Sequence, residues 1–210
     1  MPAPLRYFAI GSPRQPPYET PMTKPLVALP LLGVIAALGL AAAHTACSRS
    51  GGEGAAPAGA ASATGLLAAG APAPDVTFAL HTGEKKSLAS LRGKQVVVYF
   101  YPKDDTPGCT VEAQEIRDLY AELERTGAVV IGVSTDAADS HRAFIEKHSL
   151  PFLLASDENG EIAKAFGVPL KNGRASRQSF VIGADGRIKR TFPQVTPKGH
   201  AAELLAVLSS

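Results

Sequence analysis

Apolar and polar positions along the C-terminal part of the chain follow the two periods expected of an α/β domain. Strand-like patterns occupy residues 75–80, which alternate, and residues 96–100 and 129–134, which are continuous apolar runs. Continuous runs are typical of central strands that are covered on both faces. Residues 111–125 instead repeat apolar side chains at helical spacing, and Gly127 follows as a stop.

The same alternation of strand and helix patterns continues to the C-terminus. The remaining predicted elements are a capped helical turn at 88–91, a helix that begins at Asp139 or Ser140 and ends at His148, a strand at 152–155, a short helix at 161–166, strands at 177–182 and 188–192 joined by a hairpin, and a helix at 197–208. Helices between buried strands imply right-handed crossovers. We therefore expect a three-layer α/β domain over residues 74–210.

The N-terminal segment, residues 1–47, has the pattern of an export signal. An unbroken apolar run from Leu26 to Ala43 follows Lys24 and is succeeded by small residues. Translation that begins at Met22 would give a signal of ordinary length. Residues 1–21 would then lie upstream of the true start codon. We expect an exported protein of a bacterium, held at the periplasmic side or the cell surface.

Cys47 raises the possibility of a lipid anchor. Thr45-Ala46-Cys47 resembles the end of a bacterial lipobox, although His44 departs from the apolar residue preferred there. The alternatives are an uncleaved membrane anchor, because about 18 apolar residues just suffice to span a bilayer, and a cleaved secretory signal. Residues 48–73 consist almost entirely of Ala, Gly, Ser and Pro, which predicts a flexible linker to the folded domain.

Composition excludes several classes of function. Lys and Arg number 21 against 19 Asp and Glu, and no basic stripe interleaved with aromatic residues indicates nucleic-acid binding. The two cysteines and five scattered histidines lack the clustered spacing of a metal site. We therefore predict no metal and no cofactor, and we interpret the histidines as surface or hydrogen-bonded residues.

The candidate chemistry lies at Cys109, where a turn-rich loop passes into a helix. Pro102 and Pro107 stiffen this loop. A cysteine at a helix start faces free N–H groups and the positive end of the helix dipole, which favour a thiolate. Thr106 can place its hydroxyl near the sulfur, and Arg177, at the start of a buried strand, is a candidate cation. The alternatives are a small buried Cys109, a turn residue at Thr106 and a surface arginine.

These residues carry a family resemblance. Pro102-x-x-x-Thr106-x-x-Cys109 matches the active-site pattern of peroxiredoxins, and residues 101–112 look like the bacterioferritin-comigratory, or PrxQ, branch. Similar segments recur in order to the C-terminus, at residues 132–136, 144–152, 156–157 and 177–182. The resemblance implies a thioredoxin-like three-layer α/β/α fold with a central mixed sheet.

The resemblance also implies a chemistry and a role for each residue. The Cys109 thiolate would reduce hydrogen peroxide and organic hydroperoxides to water and alcohols, and would become a sulfenic acid. Thr106 matches the residue that orients the peroxide, Arg177 the arginine that favours the thiolate, and Pro102 the residue that shields the sulfur. A monomer is the oligomeric state that the resemblance favours.

One position departs from the branch. Many members carry a resolving cysteine five residues after the first, where this chain has Gln114. An external thiol (thioredoxin, glutaredoxin or a small thiol) would then reduce the sulfenic acid, unless Cys47 reaches in on its linker. The rival functions are a membrane-tethered thiol-disulfide oxidoreductase, which would use Cys-x-x-Cys, and a non-catalytic binding lipoprotein.

Overall fold

The computed structural model describes residues 65–210. The predicted export segment and residues 48–64 of the predicted linker lie outside this range. The strands are β1 Thr77–Leu80, β2 Lys85–Ser87, β3 Val96–Phe100, β4 Val129–Ser134, β5 Leu153–Ser156, β6 Leu170–Lys171, β7 Arg174–Ala175, β8 Gln178–Ile182 and β9 Ile188–Phe192. The helices are α1 Pro107–Asp118, α2 Tyr120–Arg125, α3 Ala138–His148, α4 Glu161–Phe166 and α5 His200–Leu208. Within this range no helix has both the length and the apolar character needed to cross a bilayer.

Seven of these strands form one mixed sheet in the order β2-β1-β5-β4-β3-β8-β9. The central pairs β3–β4 and β4–β5 are parallel, whereas β8 runs antiparallel to β3 and pairs with β9 as the predicted hairpin. This architecture confirms the predicted central mixed sheet. It also places the end of β3 beside the start of β8, which is where the candidate site lies.

Two apolar layers cover the faces of the sheet. All five side chains of β3 are buried. Val96, Val98 and Phe100 pack in one layer together with α4, whereas Val97 and Tyr99 pack in the other with residues of α1, α2, α3 and α5. Complete burial of a large apolar side chain stabilises a fold by roughly 1.5–3 kcal/mol, so both faces of the central strand contribute to the core.

The last part of the predicted linker belongs to the folded domain, which corrects the predicted boundary at residue 73. Leu66 is 1% exposed and lies in the same apolar layer as α4. The Gly70 amide donates to the Ile188 carbonyl at 2.8 Å and the Ala73 amide to the Gly186 carbonyl at 3.0 Å. Composition does not reveal this segment, because one leucine and backbone hydrogen bonds to the region of β9 hold it.

Several predicted boundaries also differ from the structure. The first long helix begins at Pro107, ahead of the apolar pattern that starts at residue 111. This agrees with the predicted helix start at Cys109, and proline is well tolerated in the first helical turn. The helix is interrupted at Leu119, which separates α1 from α2. The N-cap of α3 is Ala137 and not Asp139 or Ser140. The strand β2 and the small β6–β7 hairpin were not predicted, since each is only two or three residues long.

Candidate active site

The end of β3 and the start of α1 position Cys109. The chain leaves β3 at Phe100, crosses a loop and enters α1 at Pro107, with Thr106 as the N-cap residue. Cys109 is the third residue of the helix and is 2% exposed. Its sulfur therefore lies within the first turn, where backbone N–H groups have no helical acceptor and favour a negative charge.

Arg177 reaches the same place from the start of the neighbouring strand, β8. Phe100 pairs with Gln178 in the antiparallel register of β3 and β8, so the residue before Gln178 lies beside the end of β3. The Arg177 guanidinium donates from Nη2 to the Cys109 sulfur at 3.1 Å.

Glu112 holds the other arm of the guanidinium. It follows Cys109 by one helical turn, so both side chains lie on the same buried face of α1. Arg177 Nη1 donates to Glu112 Oε2. Burial raises the pKa of Glu112 to about 7, and the positive charge of Arg177 opposes that rise.

The charge of Arg177 is secured by the same contacts. Burial acts to lower the pKa of Arg177, but the Glu112 carboxylate and the hydrogen bond to the Cys109 sulfur raise it overall. The guanidinium is thus a permanent cation that contacts the sulfur directly. A negative charge that develops on the sulfur during a reaction would therefore meet both a positive charge and a hydrogen-bond donor.

Thr106 and Pro102 lie in the loop before the helix. The Thr106 hydroxyl donates to the Lys103 carbonyl at 3.1 Å. In the described part of the chain, this hydroxyl makes no hydrogen bond to the Cys109 sulfur. The backbone carbonyl of Thr106 accepts a hydrogen bond from the Thr110 amide at 2.8 Å. Pro102 is half-buried. The structure thus brings Cys109 and Arg177 into contact and leaves Thr106 and Pro102 as neighbours in the chain.

A buried polar cluster supports this loop from below. Asp104, 6% exposed, accepts from the Tyr101 hydroxyl at 2.7 Å and from the Ser140 hydroxyl at 2.7 Å. His141 Nδ1 lies 2.9 Å from the same carboxylate, and the Asp104 amide donates to Asp136 at 2.9 Å. Burial acts to raise the pKa of Asp104, but the hydrogen bonds from His141, Ser140 and Tyr101 outweigh it and lower the pKa overall. The carboxylate of Asp104 is therefore bound by protein groups rather than by solvent, although it lies in a turn.

Tyr99 is a further polar group close to the sulfur. It lies in the same buried layer as Cys109, and its hydroxyl has no hydrogen-bond partner among the described residues. Burial raises the pKa of Tyr99 well above its usual range, and the charges of Glu112, Asp104 and Cys109 add to the effect. Gly132 makes room for the ring, because a Cβ at that position would lie 2.6 Å from Tyr99 Cζ.

Gln114, at the position of the missing resolving cysteine, makes a polar contact with α3. Gln114 Nε2 lies 3.3 Å from His148 Nδ1, and His148 Nε2 lies 2.9 Å from Asp105 Oδ1. Cys109 is the only cysteine of residues 65–210, so the described domain has no second thiol. The same range contains no group of three or more potential metal ligands.

A buried cysteine at a helix start, in contact with a guanidinium on a mixed α/β sheet, is an arrangement expected of a thiol-based redox enzyme. The AhpC/TSA family profile matches residues 69–191. The chain belongs to the AhpC/TSA family.

Individual relatives agree with this assignment. The chain is 42% identical over 146 residues to peroxiredoxin Bcp of Bacillus subtilis, covering 66% of this chain and 93% of that protein. It is 41% identical over 149 residues to the chloroplastic peroxiredoxin Q of Oryza sativa subsp. japonica, covering 70% and 69%. The solved structure of the Xanthomonas campestris bacterioferritin comigratory protein matches with a TM-score of 0.61 and 33% identity, covering 65% of this chain and 91% of that one. The protein is a thiol-dependent peroxidase, and the two rival functions have no support.

Sequence reasoning missed two groups of the site, Glu112 and Tyr99. Glu112 could have been found from its spacing, because it lies three residues after Cys109 on the face of α1 that also carries the buried Ala113 and Ile116. A carboxylate on a buried helical face requires a cation. Tyr99 carried no such pattern, since it stands within a continuous apolar strand.

Proposed function

We propose that Cys109 is the peroxidatic cysteine and that Arg177 is the cation that activates it. The observation that carries this proposal is the 3.1 Å contact between Arg177 Nη2 and the Cys109 sulfur at the first turn of α1. The thiolate attacks one oxygen of the hydroperoxide, and the O–O bond breaks. The second oxygen leaves as water or alcohol after taking up a proton, and Cys109 becomes a sulfenic acid.

Thr106 and Pro102 complete the proposed site. The Thr106 hydroxyl donates to a backbone carbonyl in the resting state, and a hydroxyl can also accept a hydrogen bond from a hydroperoxide. This supports its role in orienting the substrate. Pro102, half-buried on the same loop, limits access of water to the sulfur. Organic hydroperoxides belong to the proposed substrate class, because the related bacterioferritin comigratory protein of Xanthomonas campestris has alkyl peroxide reduction activity.

An external thiol returns Cys109 to its reduced form. This one-cysteine cycle is supported by Gln114 at the position of the usual resolving cysteine, and by the absence of another cysteine from the described residues. The sulfenic acid condenses with a first external thiol to give a mixed disulfide and water. A second thiol then releases the Cys109 thiol and leaves with the first as a disulfide.

Turnover of peroxide by the full-length protein tests the assignment. With an external thiol in excess, wild-type protein should consume hydrogen peroxide and Cys109→Ser should not. Cys47→Ser should retain turnover. Equal turnover by the wild type and Cys109→Ser would refute the proposal, whereas loss of turnover in Cys47→Ser would show that Cys47 is the resolving thiol.

We also propose that the protein is exported and tethered to a membrane. The support is the apolar run from Leu26 to Ala43 and the lipobox-like Thr45-Ala46-Cys47. Mass spectrometry of the mature N-terminus tests this proposal. A diacylglyceryl modification on Cys47 is expected, whereas an unmodified, full-length N-terminus in a soluble fraction would contradict it.

A further inference from the structure

A groove of about 640 Å³ lies beside the candidate active site. Arg177 forms part of its wall and donates to the Cys109 sulfur. The groove lies between the β6–β7 hairpin and the loop that follows β9, and its lining includes Leu66, Pro169, Lys171, Gln178 and Val195. Arg177 therefore separates the sulfur from a space large enough for a ligand of peptide size.

The charge of this groove has one sign. Lys171 and Arg177 are the charged residues that line it, and no carboxylate does. Lys171 is exposed and forms no ion pair with any described residue. Arg177 does contact a carboxylate, that of Glu112, but this side chain is fully buried and does not line the groove. An anionic ligand in the groove thus meets an unpaired cation and no repulsive group.

The remaining lining suits a ligand with amide groups and an apolar portion. Pro169 and Val195 provide apolar surface. Gln178 is 8% exposed, and its Oε1 accepts no hydrogen bond from any described residue. A buried amide oxygen without a donor is costly, and a movement of the Gln178 side chain toward the groove would let it accept from an N–H group of a bound ligand.

We infer that this groove binds the reductant, and that the reductant is a small thiol carrying carboxylates. The inference rests on the proposed one-cysteine cycle. One carboxylate of the ligand lies against Lys171, and its thiol reaches the Cys109 sulfenic acid past Arg177. The thiol sulfur bonds to the Cys109 sulfur, and the sulfenic oxygen leaves as water with the thiol proton. A second molecule of the same thiol then attacks the mixed disulfide and restores the Cys109 thiol.

A pair of thiols that share a peptide backbone, one with free carboxylates and one with esterified carboxyl groups, tests the inference. Glutathione carries carboxylates, and its diethyl ester has the same backbone and thiol without them. The rate constant for reduction of the Cys109 sulfenic acid is measured with both, in wild type, Lys171→Gln and Lys94→Gln. Lys94 is the matched control, since it is exposed beyond the opposite end of β3. Lys171→Gln should lower the rate constant with glutathione, relative to that with the diethyl ester, about two- to fivefold, in keeping with the loss of a single exposed ion pair.

An unchanged ratio in Lys171→Gln, or an equal change in Lys94→Gln, would overturn the inference. A binding measurement separates this outcome from failure of the proposed function. S-methylglutathione is titrated calorimetrically into Cys109→Ser, which undergoes no peroxide chemistry, and into Cys109→Ser/Lys171→Gln. Saturable binding that weakens about two- to fivefold without Lys171 supports the groove. Absence of binding, or equal affinity, refutes it even if wild-type Cys109 forms a sulfenic acid normally.

Discussion

Arg177 Nη2 lies 3.1 Å from the sulfur of Cys109, although 68 residues separate the two in the chain. The antiparallel pairing of β3 with β8 produces this contact, because it brings the residue before β8 to the point where β3 ends. Arg177 also donates to Glu112 on the same helical face as Cys109. A helix start and a guanidinium thus meet at one sulfur atom, and a buried carboxylate binds the guanidinium.

The geometry of the Arg177 fork should matter as well as its charge. Arg177→Lys keeps a cation but cannot contact Cys109 and Glu112 with two arms of a planar group. A hydrogen bond to a charged group contributes about 1.5–3 kcal/mol, so the rate constant with hydrogen peroxide should fall roughly 10- to 100-fold. Stopped-flow mixing measures it. Arg174→Lys, exposed in the neighbouring hairpin, is the control, and an equal loss in both variants would contradict the role of Arg177.

Glu112 should make stability depend on pH. Its pKa rises from 4.5 to about 7 on burial, so between these values the folded protein keeps a proton that the unfolded chain releases. The free energy of unfolding should therefore fall as pH rises through this window, by up to about 3 kcal/mol from this group. Urea titrations from pH 4.5 to 8 should show a shallower fall in Glu112→Gln. The exposed Glu124→Gln should leave the profile unchanged, and identical profiles for the wild type and Glu112→Gln would contradict the prediction.

Gln114→Cys should create a resolving thiol. Residues five apart on an ideal helix have Cα atoms roughly 8–9 Å apart, beyond the reach of a disulfide, which needs about 7 Å or less. The first turns of α1 must therefore open before Cys109 can bond to Cys at position 114. Peptide mapping after stoichiometric peroxide should find this disulfide. Asp118→Cys, exposed at the end of the helix, should not form a disulfide with Cys109. Absence of the disulfide from both variants would show that the first turns of α1 stay helical.

Leu66 should stabilise the domain although it belongs to an Ala/Gly/Pro-rich stretch. Its side chain is 1% exposed, and truncation of a buried leucine costs about 2–5 kcal/mol. Leu67→Ala, which removes a partly buried neighbour, should cost less. Denaturant unfolding of the two variants measures the difference. Equal stability of Leu66→Ala and the wild type would place the domain boundary back at residue 74.

Local patterns predicted the parts of this fold that local physics determines. The continuous apolar runs became β3 and β4, and the loop before Cys109 became a helix start. Both follow from neighbouring residues. The pattern also identified Arg177 as a candidate cation for Cys109, but its second contact, with Glu112, was not predicted. Only the register of β8 on β3 places it against Cys109 and Glu112.

Other features depend on contacts between distant segments. Asp104 is buried because Tyr101, Ser140 and His141 surround its carboxylate, whereas two adjacent aspartates in a turn would ordinarily be solvated. The packing of residues 66–73 likewise depends on β9 and α4, which follow them by about a hundred residues. Composition and periodicity describe neither kind of contact.

The proposed chemistry depends on one sulfur, at Cys109, being held ready for reaction with a hydroperoxide. Rapid mixing of the reduced protein with one equivalent of hydrogen peroxide, followed by dimedone trapping and peptide mass spectrometry, tests this requirement. We expect a single adduct, on Cys109, that forms far faster than on free cysteine in the same buffer. Labelling at the rate of free cysteine, or at any residue other than Cys109, would contradict the proposal.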